Sequence, residues 1–165
     1  IAPLVSFLAQ GPENEVVQAA IEQTKLTHRS PEAEETASFL AKASYRLIHG
    51  ARLEDTVRET APEWALKSAN SVLPQNAVDA IAKLGPACSI SSALPSVIYL
   101  ALKHGENTEI ALIENAMAGG DNCARGLALG MLLGAANGYT SIPEQWRNDL
   151  NGANALHELI ETTTT

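Results

Sequence analysis

The sequence has few aromatic and sulphur-containing residues and no long apolar run. Aromatic residues make up 4% of the 165 residues, and there are two cysteines, Cys88 and Cys123. Two cysteines exclude a disulfide framework, and their positions match no zinc-binding spacing, so we expect a reduced, cytoplasmic protein. No apolar stretch reaches the roughly 18–20 residues of a membrane helix, so we expect no membrane span.

Basic residues are also scarce relative to acidic ones. The chain has 11 lysines and arginines against 19 aspartates and glutamates, which gives a formal net charge of −8. Proteins that bind a nucleic-acid backbone or an anionic membrane surface need a basic face, so we predict neither kind of partner. The apolar fraction of 45% is typical of a globular chain, and its core must be built from alanine, leucine, isoleucine and valine.

Apolar residues recur at helical spacing along most of the chain. Between residues 13 and 27, for example, Val16 and Ala20 fall on one helix face. Ser30-Pro31 is typical of a helix N-cap followed by a first-turn proline, and Gly50 is typical of a helix end. Sustained apolar–polar alternation of the strand type is nearly absent. The pattern predicts an all-α fold with about eight short helices.

The chain length corresponds to one domain. We expect residues 1–161 to form the C-terminal part of one all-α domain, followed by a frayed tail over residues 162–165, where four threonines end the sequence.

Four glycines recur at every fourth position near the C-terminal end: Gly126, Gly130, Gly134 and Gly138. On a helix they form a stripe without side chains, and each interior glycine costs about 1 kcal/mol relative to alanine. Close packing of another helix against the stripe would offset that cost, and a backbone-lined ligand site is the alternative. The packing interpretation is the simpler one and predicts that Gly130→Leu is more damaging than Ala128→Leu.

The best local candidate for chemistry is the segment Gly119-Gly120-Asp121. Two glycines permit a sharp turn, and a helix begins directly after it. The start of a helix offers free N–H groups and a partial positive charge, which suit an anionic ligand. The Asp121 carboxylate is the right type to cap this helix, or to bind a hard cation such as Mg²⁺.

Three blocks of the sequence are similar to one known family. The chain resembles the C-terminal half of the ADP-ribosylglycohydrolases, a family that also includes the J-class lens crystallins. The resemblance covers most of the chain and is carried by Leu26-Thr27-His28-Arg29-Ser30-Pro31-Glu32-Ala33, by Ser92-Ala93-Leu94-Pro95 with Tyr99-Leu100-Ala101-Leu102, and by Ala118-Gly119-Gly120-Asp121 continuing through Gly130, Gly134, Gly138, Ile142-Pro143 and Trp146.

The resemblance implies an orthogonal multi-helix bundle that hydrolyses ADP-ribosyl N- or O-glycosidic bonds with the help of magnesium. It implies that Gly119, Gly120 and His28 contact ADP-ribose or an ADP-ribosylated substrate, and that Asp121 binds a metal ion. It identifies no catalytic residue in this chain.

The sequence departs from the family pattern at the metal motif. The family typically has Gly-Gly-Asp-x-Asp-Thr, and here Cys123 and Ala124 occupy the positions of the second aspartate and the threonine. The family's upstream Thr-Asp-Asp motif is absent from the chain. The N-terminal half of the same protein would therefore have to supply the other metal ligands. Two alternatives stay open: a catalytically inactive, structural or crystallin-like member, and a nucleotide-binding helical module.

Overall fold

The computed structural model describes residues 1–163, which form helices and contain no strand. The eleven α-helices in this part of the chain are α1 (Ala2–Leu8), α2 (Glu13–Lys25), α3 (Pro31–Ile48), α4 (Leu53–Thr60), α5 (Glu63–Val72), α6 (Ala77–Leu84), α7 (Ile90–His104), α8 (Thr108–Met117), α9 (Asn122–Asn137), α10 (Glu144–Asp149) and α11 (Ala153–Thr163). A single 3₁₀ turn over Tyr139–Ser141 follows α9. The all-α prediction is confirmed.

Several helix boundaries follow from local chemistry that the sequence displays. The Ser30 hydroxyl accepts a hydrogen bond from the amide of Ala33 at 3.2 Å, and Pro31 is the first residue of α3. Gly50 follows the end of α3 with a φ of 87°, a conformation that favours glycine. These signals act within a few residues, which is why sequence inspection finds them.

Two features of the helices do not follow from local sequence signals. Helix α1 was not predicted, and Pro95 lies inside α7, beyond its first turn. Burial explains both features. Val5 of α1 is 1% exposed in a small cluster with α2 and α3, and Pro95 lies within a run of buried residues from Leu94 to Ala101. Tertiary packing stabilises these segments where local propensity does not.

Helix α7 is the centre of the molecule, because each residue from Leu94 to Ala101 is buried. A helix that is buried on all sides must be surrounded by other helices. Its neighbours include α3, α4, α5, α6, α8 and α9. The main core joins α7 to buried residues of α3 and α9, among them Leu47, Leu129 and Leu133. Many core positions are alanine, which lets the helix axes approach closely.

The glycine stripe makes a close contact with another helix only at Gly126, where a Cβ atom would lie 3.1 Å from the side-chain nitrogen of Asn115 on α8. A Cβ atom built on Gly130 or Gly134 meets nothing within 4 Å, and Gly138 lies beyond the end of α9 with a φ of 76°. Gly130 and Gly134 instead line a groove of about 310 Å³ shared with α1 and α3. The packing interpretation is therefore wrong at these positions, whereas the greater damage expected from Gly130→Leu than from Ala128→Leu stays a prediction.

Helix α11 extends to Thr163, so Thr162 and Thr163 of the expected tail are helical, whereas residues 164 and 165 lie outside the described residues. Among the helices of residues 1–163, none has the combined length and hydropathy that crossing a bilayer requires.

We expect Gly130→Ala and Gly134→Ala each to stabilise the protein by up to about 1 kcal/mol, because alanine is the better helix former and its methyl group meets open space. Urea unfolding measures the change. Gly138→Ala is the control from the same stripe and should destabilise the fold, because its φ is positive. Loss of stability in both of the first two variants would show that the groove is closed in solution.

Candidate functional site

The Gly-Gly-Asp segment forms a tight turn between α8 and α9. Gly119 and Gly120 have φ values of 67° and 64°, in the left-handed region that glycine adopts most readily. A Cβ atom on Gly120 would clash with the carbonyl oxygen of Pro86. The same carbonyl accepts a hydrogen bond from the amide of Asp121 at 2.9 Å. This hydrogen bond therefore joins the turn to the loop that precedes α7.

Asp121 is the N-cap of α9. Its Oδ1 atom accepts a hydrogen bond from the amide of Ala124 at 3.3 Å. This bond satisfies one of the free N–H groups at the helix start, so the capping interpretation is confirmed. The side chain is half-buried.

A buried arginine forms a hydrogen bond to the turn. Arg125 is 0% exposed, and its Nε donates to Oδ1 of Asn115 at 3.1 Å. Its Nη2 donates to the carbonyl oxygens of Asn115, at 3.4 Å, and of Gly119. The Asn115 amide in turn donates to the carbonyl of Asn122 at 2.9 Å. One guanidinium group thus links the end of α8, the turn and the start of α9.

Sequence reasoning missed Arg125, although a signal for it was present. The arginine stands on α9 four residues before Leu129, on the helix face that also carries the buried Leu132. A charged residue in phase with buried leucines indicates a buried polar network.

The described residues only partly compensate the positive charge of the Arg125 guanidinium. Burial lowers the pKa of Arg125, and the nearby Asp121 carboxylate opposes that shift. A guanidinium nevertheless stays protonated at neutral pH, so a full positive charge is buried here. Its Nη1 atom has no hydrogen-bond partner among the described residues.

His28 lies in a different turn, between α2 and α3. Its side chain is exposed, and Nδ1 is 2.8 Å from Oγ1 of Thr27. The structure thus joins Gly119, Gly120 and Asp121 in one turn, whereas no described contact links His28 to them. That His28 contacts the same ligand as Gly119 and Gly120 stays a prediction.

The described residues of this chain do not by themselves fit a magnesium site. Within residues 1–163 no group of three histidines, cysteines, aspartates or glutamates lies close enough to hold a metal ion. Asp121 offers one carboxylate, of which one oxygen caps α9. Cys123 and Ala124, which occupy the other two ligand positions of the family pattern, are exposed and provide no oxygen ligand in their side chains.

The fold and the site define an all-α bundle with a Gly-Gly-Asp turn at the start of one of its core helices. The chain belongs to the ADP-ribosylglycohydrolase family, whose model matches residues 1–164. The family resemblance seen in the sequence is thereby confirmed, and membership supports a general role of the hydrolase type. No curated protein and no solved structure gives a significant match to the chain.

The two turn glycines should differ in their response to substitution. We expect Gly119→Ala to destabilise the protein by about 1–2 kcal/mol, because it places alanine in the left-handed region while meeting open space. Gly120→Ala should destabilise it more, since its methyl group also clashes with Pro86. Urea unfolding of both variants measures the difference, and equal losses would show that the contact with Pro86 yields easily.

Proposed function

We propose that this chain recognises the ADP-ribosyl group in an ADP-ribosylglycohydrolase, which hydrolyses ADP-ribosyl N- or O-glycosidic bonds. The observation that carries the proposal is the Gly119–Asp121 turn of a family member, held rigidly between Pro86 and the buried Arg125. A rigid turn with left-handed glycines brings the backbone close to a ligand, because no side chain intervenes.

The electrostatic setting of the turn suits such a ligand. The start of α9 presents backbone N–H groups and a partial positive charge, and Arg125 adds a full positive charge behind the turn. A diphosphate group carries negative charge that both features favour. In this proposal His28 approaches the ligand from the α2–α3 turn.

We further propose that the N-terminal half of the same protein provides most of the magnesium ligands. Asp121 is the residue of this chain that would reach a metal ion, through the oxygen that does not cap α9. When bound, magnesium would orient the ribose hydroxyls and activate water. The role proposed for this chain is substrate recognition, since the carboxylates that metal chemistry needs lie elsewhere.

A second candidate is a member that keeps the bundle without the hydrolytic chemistry, whether structural, crystallin-like or nucleotide-binding. The observation that favours it is the pair Cys123 and Ala124 at two ligand positions of the family pattern, on an exposed helix turn. A nucleotide-binding member would be stabilised by ADP-ribose without metal, whereas a structural member would not.

For ligand recognition we expect ADP-ribose to raise the melting temperature of the chain and His28→Ala to reduce that shift. His49→Ala is the control, because His49 is also an exposed histidine near a helix end, at the C-terminal end of α3. Thermal unfolding with and without ADP-ribose measures the effect. No shift for the wild-type chain, or equal shifts for both variants, would contradict the proposed recognition site.

For the metal we expect the isolated chain to bind Mg²⁺ at about millimolar affinity at best, because a single protein oxygen seldom holds this strongly hydrated ion. Calorimetric titration measures the affinity, with Asp121→Ala as the comparison and Asp79→Ala, at a helix start elsewhere, as the control. Micromolar binding that disappears only in Asp121→Ala would show that this chain holds the metal largely by itself.

A further inference from the structure

Helix α8 exposes a row of large apolar side chains to solvent. Ile110, Ile113 and Met117 are 45%, 42% and 72% exposed. Their spacing of three and four residues places them one above another on a single side of the helix. Ala111 and Asn115, on the other side, are buried against the bundle. The outward side of α8 is therefore apolar, whereas the outward side of a surface helix is ordinarily polar.

Acidic side chains flank this row, and no basic residue of the same segment balances them. Glu109 and Glu114 lie on α8 to either side of the row, and residues 105–118 contain no lysine or arginine. Neither carboxylate forms a salt bridge with a described residue. Burial lowers the pKa of His104, which Glu114 influences, so that imidazole is uncharged at neutral pH. We name the row and its two flanking carboxylates the α8 face.

The charge of the α8 face indicates what kind of partner covers it. An exposed apolar row rimmed by polar groups is typical of a protein-binding surface. A second copy of this chain is a poor occupant, because two α8 faces packed together would bring carboxylates against carboxylates in molecules of net charge −8. An anionic bilayer would be repelled for the same reason. A partner with basic groups beside its own apolar row is complementary in both respects.

We propose that the α8 face binds a basic amphipathic helix of another protein. The apolar side of that helix packs on Ile110, Ile113 and Met117, and the lysines or arginines that border it pair with Glu109 and Glu114. Helix-on-helix packing suits a row with anchors at positions i, i+3 and i+7. The proposal stands whether or not the chain recognises ADP-ribose.

Three synthetic peptides test the proposal on the full chain. The probe is a fluorescently labelled helical peptide of about 14 residues, or about four turns, with leucines along one side and lysines elsewhere. The second peptide has glutamate in place of every lysine. The third has the composition of the probe in a scrambled order that removes the apolar side. Fluorescence anisotropy measures the dissociation constant of each peptide as the chain is added.

We expect the lysine peptide to bind saturably, and the glutamate and scrambled peptides to bind at least about tenfold more weakly, because each lacks one of the two complementary features. Equal binding of the scrambled peptide would show attraction to the net charge of the chain alone and would overturn the proposal. Equal binding of the glutamate peptide, or no saturable binding of the lysine peptide, would overturn it as well.

Substitutions at exposed positions locate the binding surface without disturbing the core. Met117→Gln should weaken binding of the lysine peptide about fivefold to tenfold, because it removes an apolar anchor. Phe7→Gln is the matched control, since Phe7 is 68% exposed on α1, and it should leave binding unchanged. Glu109→Gln should weaken binding about threefold, because it removes one attractive charge, and Glu63→Gln on α5 is its control.

Equal losses in Met117→Gln and Phe7→Gln would place the peptide elsewhere and contradict the proposal. Analytical ultracentrifugation of the chain without peptide tests the other occupant. We expect a monomer, and a dimer that Met117→Gln dissociates would show that a second copy covers the α8 face.

Discussion

The geometry of the candidate site depends on the burial of one positive charge. The guanidinium of Arg125 is removed from solvent, and its donors must find acceptors within the protein. Carbonyl and amide oxygens accept from Nε and Nη2, and these oxygens belong to the end of α8 and to the turn before α9. The hydrogen bonds of this buried cation therefore hold the Gly119–Asp121 turn in place, together with the contact between the turn and Pro86.

Glycine has two distinct roles on either side of this arginine. Gly120 is needed because the chain turns in a left-handed conformation directly against the Pro86 carbonyl, where a methyl group has no room. Gly130 and Gly134 have ordinary helical geometry and face open space. Because these two glycines have no side chains, they line a groove between α1, α3 and α9 and do not make a close helix contact. Glycine thus occurs at a tightly packed position, Gly120, and next to open space, at Gly130 and Gly134.

The distribution of acidic groups explains why family membership alone does not define the chemistry of this chain. The family assignment rests on a match over residues 1–164 and on the all-α bundle. Hydrolysis assisted by magnesium requires several oxygen ligands around one ion, and the described residues bring no such group together. The family fold is therefore present in this chain without an assembled set of metal ligands among its described residues.

The sequence by itself determined the features that depend on neighbouring residues. Helical periodicity specified the all-α class, Ser30-Pro31 specified the start of α3, and Gly119-Gly120-Asp121 specified a turn with a capping carboxylate, because each of these acts within one or two helix turns. The family motifs were visible for the same reason, since they are short and contiguous.

Only the tertiary structure decided which surfaces meet. Spacing placed four glycines on one face but did not show whether another helix covers that face, and the fold leaves Gly130 and Gly134 uncovered. Helix α1 forms because Val5 finds a buried position against α2 and α3. Arg125 is buried beside Asn115, ten residues away. These contacts join residues far apart in the chain, and their free energy depends on how several helices pack together, which local sequence does not encode.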